Sequence, residues 1–276
     1  MPKEKSETVN EKYKDRLLNF IFGSEENKEW TLSLYNAINH SNYTDKDAIE
    51  FNTIKEVLYL GMHNDTSFLI SDTMQIYEHQ STYNPNMPLR QLQYLSNLYE
   101  GYIKKNNLSK YSSTFISLPI PKMVVLYNGK RNVDDDTILK LSDSFSEEHR
   151  DEADVEVRVR MININYGHNK ELLGACKPLQ EYSWFIEKVR DYYEEYTLED
   201  SVDMAIREMP DDFLIKQFIV INKAEVCKML LTEYDEAEAQ ELFKNEGRAE
   251  GRIEGRIEGR DEGSTKRLIE QVCKKL

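Results

Sequence analysis

Two carboxylates and an amide on neighbouring extended segments are the residues of this chain best suited to metal-assisted chemistry. A short apolar run, the turn-like Ser71-Asp72-Thr73 and an alternation of apolar and polar residues up to Gln80 predict a β-hairpin. Alternation places Glu78 and Gln80 on one face of the second strand. If the hairpin turns about Ser71 and Asp72, Asp65 at the start of the first strand falls opposite Glu78.

Two carboxylates that converge on one point can seat a hard cation such as Mg²⁺, which prefers oxygen ligands. A cation there can polarise a phosphoryl oxygen and lower the pKa of a bound water for in-line attack. Gln80 would orient that water through its amide dipole, whereas a lysine would add a positive charge. By spacing alone, the favoured interpretation of Glu78 and Gln80 is a solvated strand face, since Glu-x-Gln is a short pattern.

The distribution of charge bears on the partner of such a site. The chain carries a formal net charge of −14, which argues against a nucleic-acid partner when it is considered alone. Residues 81–133, however, contain seven Lys or Arg and one acid, a net of +6, so the other residues carry −20. Positive charge therefore follows directly after the hairpin, where a phosphate backbone would lie. The candidate contacts to nucleic-acid phosphates are Arg90, Lys104, Lys105, Lys122, Lys130 and Arg131.

The elements around these residues alternate between strand and helix. A strand-like segment, Val57–Met62, precedes the hairpin, and a helix follows it with Pro88 near its start. Residues 122–127 form a continuous apolar strand, which suggests a sheet that is covered on both faces, and residues 157–164 form another. From Pro178 onward the pattern is helical. Residues at helical spacing mark the buried face of the helix after Pro88: Leu89, Leu92, Leu95, Tyr99 and Tyr102.

The remaining features mainly exclude classes of protein. The polar first residues predict no signal peptide, and no apolar run is long enough to span a bilayer. Three distant cysteines, Cys176, Cys227 and Cys273, exclude a disulfide scaffold and a zinc knuckle, and favour reduced thiols in a cytoplasmic protein.

A Glu-Gly-Arg repeat begins at Glu246 and allows two interpretations. Helix cooperativity and the cost of glycine favour a frayed, low-complexity tail. The alternative is a stripe of small residues that pairs helices in a homo-oligomer.

The hairpin and its surroundings closely resemble the recombination-promoting nuclease (Rpn) family of YhgA-like transposases, within the PD-(D/E)XK nuclease superfamily. The resemblance covers roughly residue 50 to the C-terminus. It is carried by YEHQSTYNPNMPLR at Tyr77–Arg90 with Asn64-Asp65 upstream, PKMVVLYNG at Pro121–Gly129, LSDSF at Leu141–Phe145, NINYGHNKELL at Asn163–Leu173 and the Glu-Gly-Arg tail.

This resemblance implies an α/β fold with a restriction-endonuclease-like core, in which helices flank a mixed central sheet. It also implies cleavage of double-stranded DNA that depends on Mg²⁺, with Mn²⁺ as a substitute. Asp65 and Glu78 would then be catalytic metal ligands, and Gln80 would occupy the position that holds lysine in most of the superfamily. Glu56 is a candidate accessory acid, and another alignment would give the role of Asp65 to Glu56 or Asp72.

The resulting hypothesis is a cytoplasmic DNA endonuclease associated with recombination or transposition. We expect a nuclease-like domain over residues 1–196, a helical C-terminal region over 197–245 and the repeat tail over 246–276. The rival hypothesis is a catalytically decayed DNA-binding or oligomeric assembly module of the same fold.

Overall fold

The computed structural model describes residues 17–51 and 65–235, and for Asp65 it describes the backbone alone. Seven helices have assigned bounds in this part of the chain: α1 (Leu17–Phe22), α2 (Lys28–Asn39), α3 (Met87–Lys105), α4 (Lys170–Ala175), α5 (Lys177–Tyr193), α6 (Leu198–Glu208) and α7 (Lys216–Ile221). Six strands accompany them: β1 (Glu50–Phe51), β2 (Asp65–Ile70), β3 (Thr73–Gln80), β4 (Ile120–Tyr127), β5 (Asp136–Lys140) and β6 (Arg158–Asn163). Residues 223–235 are also helical.

The six strands form one mixed sheet in the order β1-β2-β3-β4-β6-β5. Strand β3 pairs antiparallel with β2 and parallel with β4, and β4 pairs parallel with β6. The β2–β3 connection is the two-residue turn predicted from the sequence, with Ser71 at a positive φ of 55°. Such a turn suits two antiparallel strands, whereas the parallel β3–β4 pair requires a long crossover, which α3 supplies.

Helices cover both faces of β3. On one face, Met74 and Ile76 pack against Tyr94, Leu95 and Leu98 of α3. On the other face, the Asn39 amide of α2 donates a hydrogen bond to the Tyr77 hydroxyl, and Tyr182 of α5 lies 3.3 Å from His79 Nε2. Strand β3 is consequently buried along nearly its whole length.

The α/β class, the mixed sheet flanked by helices and the helical C-terminal part are confirmed. One detail of the predicted packing is wrong: Leu89 is 47% exposed, whereas the polar Gln91 is buried with Tyr94 and Leu98. The predicted strand at 57–62 and the repeat tail lie outside the described residues. Among residues 17–51 and 65–235, no helix is both long enough and apolar enough to cross a membrane.

Candidate active site

The β2–β3 register brings the two predicted acidic positions together. The Cα atoms of Asp65 and Glu78 are paired across the antiparallel ladder, as the two-residue turn predicts. On its other side, Glu78 pairs with Val125 of β4. Glu78 therefore lies on a central strand of the sheet, between β2, which begins at the acidic position 65, and β4, which places the apolar Val125 beside it.

Glu78 is a buried carboxylate with two strong hydrogen-bond donors on one oxygen. Its exposed fraction is 2%. Arg90 Nη2 lies 2.7 Å from Glu78 Oε1, and Gln80 Nε2 donates to the same oxygen at 2.5 Å. A buried carboxylate requires such partners, because its charge is costly to remove from water. The sequence-based interpretation of Glu78 as a solvated strand face is therefore wrong.

Gln80 lies beside Glu78 on the same face of β3 and is itself buried. Because its amide nitrogen donates to Glu78, its side-chain oxygen is the atom that can accept a hydrogen bond from a water or ligate a cation. Its backbone carbonyl accepts the Asn128 N–H at 3.0 Å, which continues the ladder beyond Tyr127. A side-chain hydrogen bond to Glu78 and a backbone hydrogen bond from Asn128 therefore both fix the position of Gln80.

The first turns of α3 cover the site. Arg90 lies one turn into this helix, and the Gln91 amide donates to the Val124 carbonyl of β4 at 3.2 Å. Tyr94 lies one turn further along, with its hydroxyl 3.3 Å from the Ser67 hydroxyl of β2. These contacts tie α3 to both neighbours of β3, so they fix the helix segment from which the Arg90 side chain reaches Glu78.

The predicted basic residues divide between the two ends of the sheet. We call the end where β3 and β4 finish, at Gln80 and Tyr127, the Glu78 end, and the end where they begin, at Thr73 and Ile120, the Asp72 end. Arg90, Lys130 and Arg131 lie at the Glu78 end. Lys104 and Lys105 end α3 near the Asp72 end, where Lys105 forms an ion pair with Glu50, and Lys122 is exposed near the start of β4.

Arg131 makes a contact with an aromatic ring that sequence reasoning missed. Its guanidinium lies 4.2 Å from the centre of the Tyr83 ring, and Tyr83 packs against the core cluster that contains Met87 and Tyr127. Stacking on an aromatic ring restricts the orientation of the guanidinium while leaving its N–H groups able to bind an anion. An aromatic residue within the basic segment was the available signal, but the pairing with Arg131 requires the folded chain.

On the face of the sheet opposite Glu78, His79 makes a separate set of contacts. Its Nδ1 lies 3.7 Å from Glu233 Oε1 and its Nε2 faces the Tyr182 hydroxyl. Tyr182 in turn accepts a hydrogen bond from the Asn128 amide at 3.1 Å. Since successive residues of a strand point to opposite faces, this group is separated from Glu78 by the sheet itself.

The donor chemistry of Glu78 and Gln80 fits a hard divalent cation, because both supply oxygen atoms. Within the described residues, no group of three or more His, Cys, Asp or Glu side chains is placed to hold a metal. Glu56 and the side chain of Asp65 lie outside the described part of the chain. Asp72, the alternative first acid, is in the turn at the opposite end of β3 from Glu78, so its position does not favour that role.

No family model, no curated protein and no solved structure matches this chain. The resemblance to the recombination-promoting nuclease family therefore stays an expectation that is drawn from the sequence motifs alone.

Proposed function

We propose that this protein is a metal-dependent DNA endonuclease of restriction-endonuclease-like fold, which hydrolyses phosphodiester bonds in recombination or transposition. The observation that carries the proposal is a buried carboxylate, Glu78, on the central strand, in register with Asp65 and adjacent to Gln80. Directly opposed residues of an antiparallel pair share a face. The register therefore supports a site in which both carboxylates serve one cation.

In this proposal Asp65 and Glu78 hold Mg²⁺ or Mn²⁺, with the Gln80 side-chain oxygen as a further ligand or as the group that orients the attacking water. The cation would polarise the phosphoryl oxygen and lower the pKa of the attacking water. The protein contributes rigidity, because Glu78 and Gln80 are fixed to each other at 2.5 Å. Buried apolar residues beside them, Ile76 and Val125, limit access of bulk water.

Double-stranded DNA is the proposed substrate because cationic side chains surround this end of the sheet. Lys130 and Arg131 are exposed in the segment that follows β4, and Arg131 is oriented by Tyr83. Arginine forks bind phosphate oxygens in a bidentate manner. We propose a cytoplasmic location as an accompanying property.

The second candidate function is a catalytically decayed module of the same fold, which binds DNA or assembles without cleaving it. One observation favours it: Arg90 already supplies a positive charge to Glu78. In that case the guanidinium replaces the metal permanently, and the carboxylate stabilises the docking of α3.

A plasmid-cleavage assay with and without Mg²⁺ distinguishes the two candidates. We expect the wild-type protein to nick DNA only with the cation, and Glu78→Gln to lose at least about a thousandfold in rate, as expected when a ligand of a catalytic metal is removed. Glu171→Gln is the matched control, because it removes an exposed carboxylate on α4 and should leave cleavage unchanged. Cleavage by Glu78→Gln at the wild-type rate, with its fold verified by circular dichroism, would contradict the proposed site.

A further inference from the structure

The contact between Arg90 and Glu78 has the properties of an exchangeable counterion. Glu78 Oε1 accepts from Arg90 at 2.7 Å and from Gln80 at 2.5 Å. A carboxylate oxygen offers about two lone-pair directions, so these donors saturate Oε1. A divalent cation placed on this carboxylate would also lie close to the guanidinium, and the two positive charges would repel each other strongly where water is scarce.

The two partners of this ion pair differ in exposure. The Glu78 side chain is 2% exposed, whereas the Arg90 side chain is 38% exposed. Leaving a buried anion without a positive partner is costly, so we expect Arg90 to be released from Glu78 only when another cation takes its place. Arg90 can reach water by rotating its long side chain, and therefore the arginine is the partner that can leave.

The position of Arg90 in α3 also favours release. It lies in the first turns of a 19-residue helix that has no acidic residue in its first turn. The N-terminus of a helix carries partial positive charge, which disfavours a cation there. Glu78 offsets this cost only while the two side chains remain in contact. A competing cation on Glu78 would therefore break the 2.7 Å contact that holds the guanidinium at the carboxylate.

We propose that Arg90 is a positioning residue that occupies Glu78 in the metal-free protein and competes with the divalent cation for it. This inference rests on the proposed function, since it requires that Glu78 binds a metal. Arg90 orients the carboxylate before the cation arrives, and it weakens the apparent cation affinity. Cation binding and opening of the ion pair are then one coupled step.

The test is Mn²⁺ binding measured by isothermal titration calorimetry without DNA. We expect Arg90→Gln to bind Mn²⁺ about tenfold more tightly than the wild type, because one competing unit charge has been removed. Arg90→Lys retains the charge and should remain near the wild-type affinity. Lys170→Gln is the matched control: it removes an exposed positive charge at the start of α4, and the affinity should change less than about twofold.

A purely structural role for Arg90 would give the opposite result, since loss of the contact would disorder Glu78 and weaken Mn²⁺ binding. In the Glu78→Gln background, Arg90→Gln should have no effect, because the carboxylate for which they compete is absent. The wild-type protein provides a test without substitution: titration with Mg²⁺ should shift the guanidinium ¹⁵N signals of Arg90 in NMR spectra, and unchanged signals at saturation would overturn the inference.

The measurements distinguish failure of the inference about Arg90 from failure of the proposed nuclease function. Equal Mn²⁺ affinities for the wild type and Arg90→Gln, with weaker binding by Glu78→Gln, would overturn the role of Arg90 and leave the proposed nuclease intact. No Mn²⁺ binding by any of these proteins, together with absence of cleavage, would contradict both proposals.

Discussion

The two ends of the sheet use the same kinds of residue for different purposes. At the Glu78 end, Arg90 contacts a buried carboxylate and Arg131 stacks on Tyr83. At the Asp72 end, Lys105 forms an ion pair with Glu50, and both side chains are exposed. Arg90 and Lys105 are 15 residues apart on one helix, a separation of roughly 22 Å along its axis. A basic stretch that is continuous in the chain therefore does not form a continuous surface.

The two ends differ in whether their cationic side chains are already paired with exposed acidic residues. Lys110, in the loop after α3, forms an ion pair with Glu100, so two cations near the Asp72 end already have exposed acidic partners. Such exposed pairs contribute little to stability, and they reduce the local positive potential. The contact between Arg131 and Tyr83 involves no acidic residue, so it does not reduce the local positive potential. The −14 net charge and the +6 segment are both coarse measures. The pairing of individual side chains makes the Glu78 end the better candidate for the proposed phosphate contacts.

The largest effect should come from comparing two glycines that lie at the opposite ends. A Cβ at Gly129 would clash with the Ser81 carbonyl oxygen and the Tyr127 ring, whereas a Cβ at Gly101 in α3 would meet nothing within 4 Å. We expect Gly129→Ala to lower the free energy of unfolding by about 3 kcal/mol through overpacking. Gly101→Ala should raise it by about 0.5–1 kcal/mol, because glycine is a poor helix former. Urea denaturation measures both, and equal changes would show that the two ends are packed alike.

A smaller effect concerns the binding of DNA. We expect Arg131→Ala to weaken binding of a duplex by about 1 kcal/mol and to reduce the slope of log affinity against log salt by about 1. Lys105→Ala should change both quantities less, since Lys105 is already paired with Glu50. Fluorescence anisotropy at several salt concentrations gives both values. A larger loss for Lys105→Ala would reverse the assignment of the DNA-binding end.

The smallest effect is a pH dependence at the edge of the Glu78 end. A hydrogen bond from His168, 2.7 Å from Asp135, lowers the pKa of the Asp135 carboxyl below its ordinary value of 3.8. A lowered pKa contributes stability at pH values above the ordinary one, and this contribution is lost as the pH falls through the folded-state value. His168→Ala should therefore cost less than about 1 kcal/mol at pH 6, because the pair is exposed.

The difference in unfolding free energy between wild type and His168→Ala should narrow as the pH falls below 4. Urea denaturation at a series of pH values measures this difference. A difference that grows toward acid pH would show that the contact does not stabilise the ionised carboxylate.

The sequence predicted the hairpin and its register because both depend on local information. A two-residue turn and the period of two in a strand determine which positions are opposite each other. The burial of Glu78 was not predictable in this way, because it depends on Arg90, which arrives on α3 after a further twelve residues. The burial of Leu89 was wrongly predicted for a similar reason. Gln91 is buried instead, because its amide donates a hydrogen bond to the Val124 carbonyl on β4.

The arrangement of β3 also implies an order of assembly. Its antiparallel partner β2 is joined to it by two residues, whereas its parallel partner β4 is reached only after the 19 residues of α3. Local pairings form before distant ones, so we expect the hairpin to form first, with the Glu78 carboxylate still hydrated. The step that docks α3 onto the sheet both removes that water and delivers the Arg90 guanidinium. Folding thus avoids an intermediate in which the anion is dehydrated before its cation arrives.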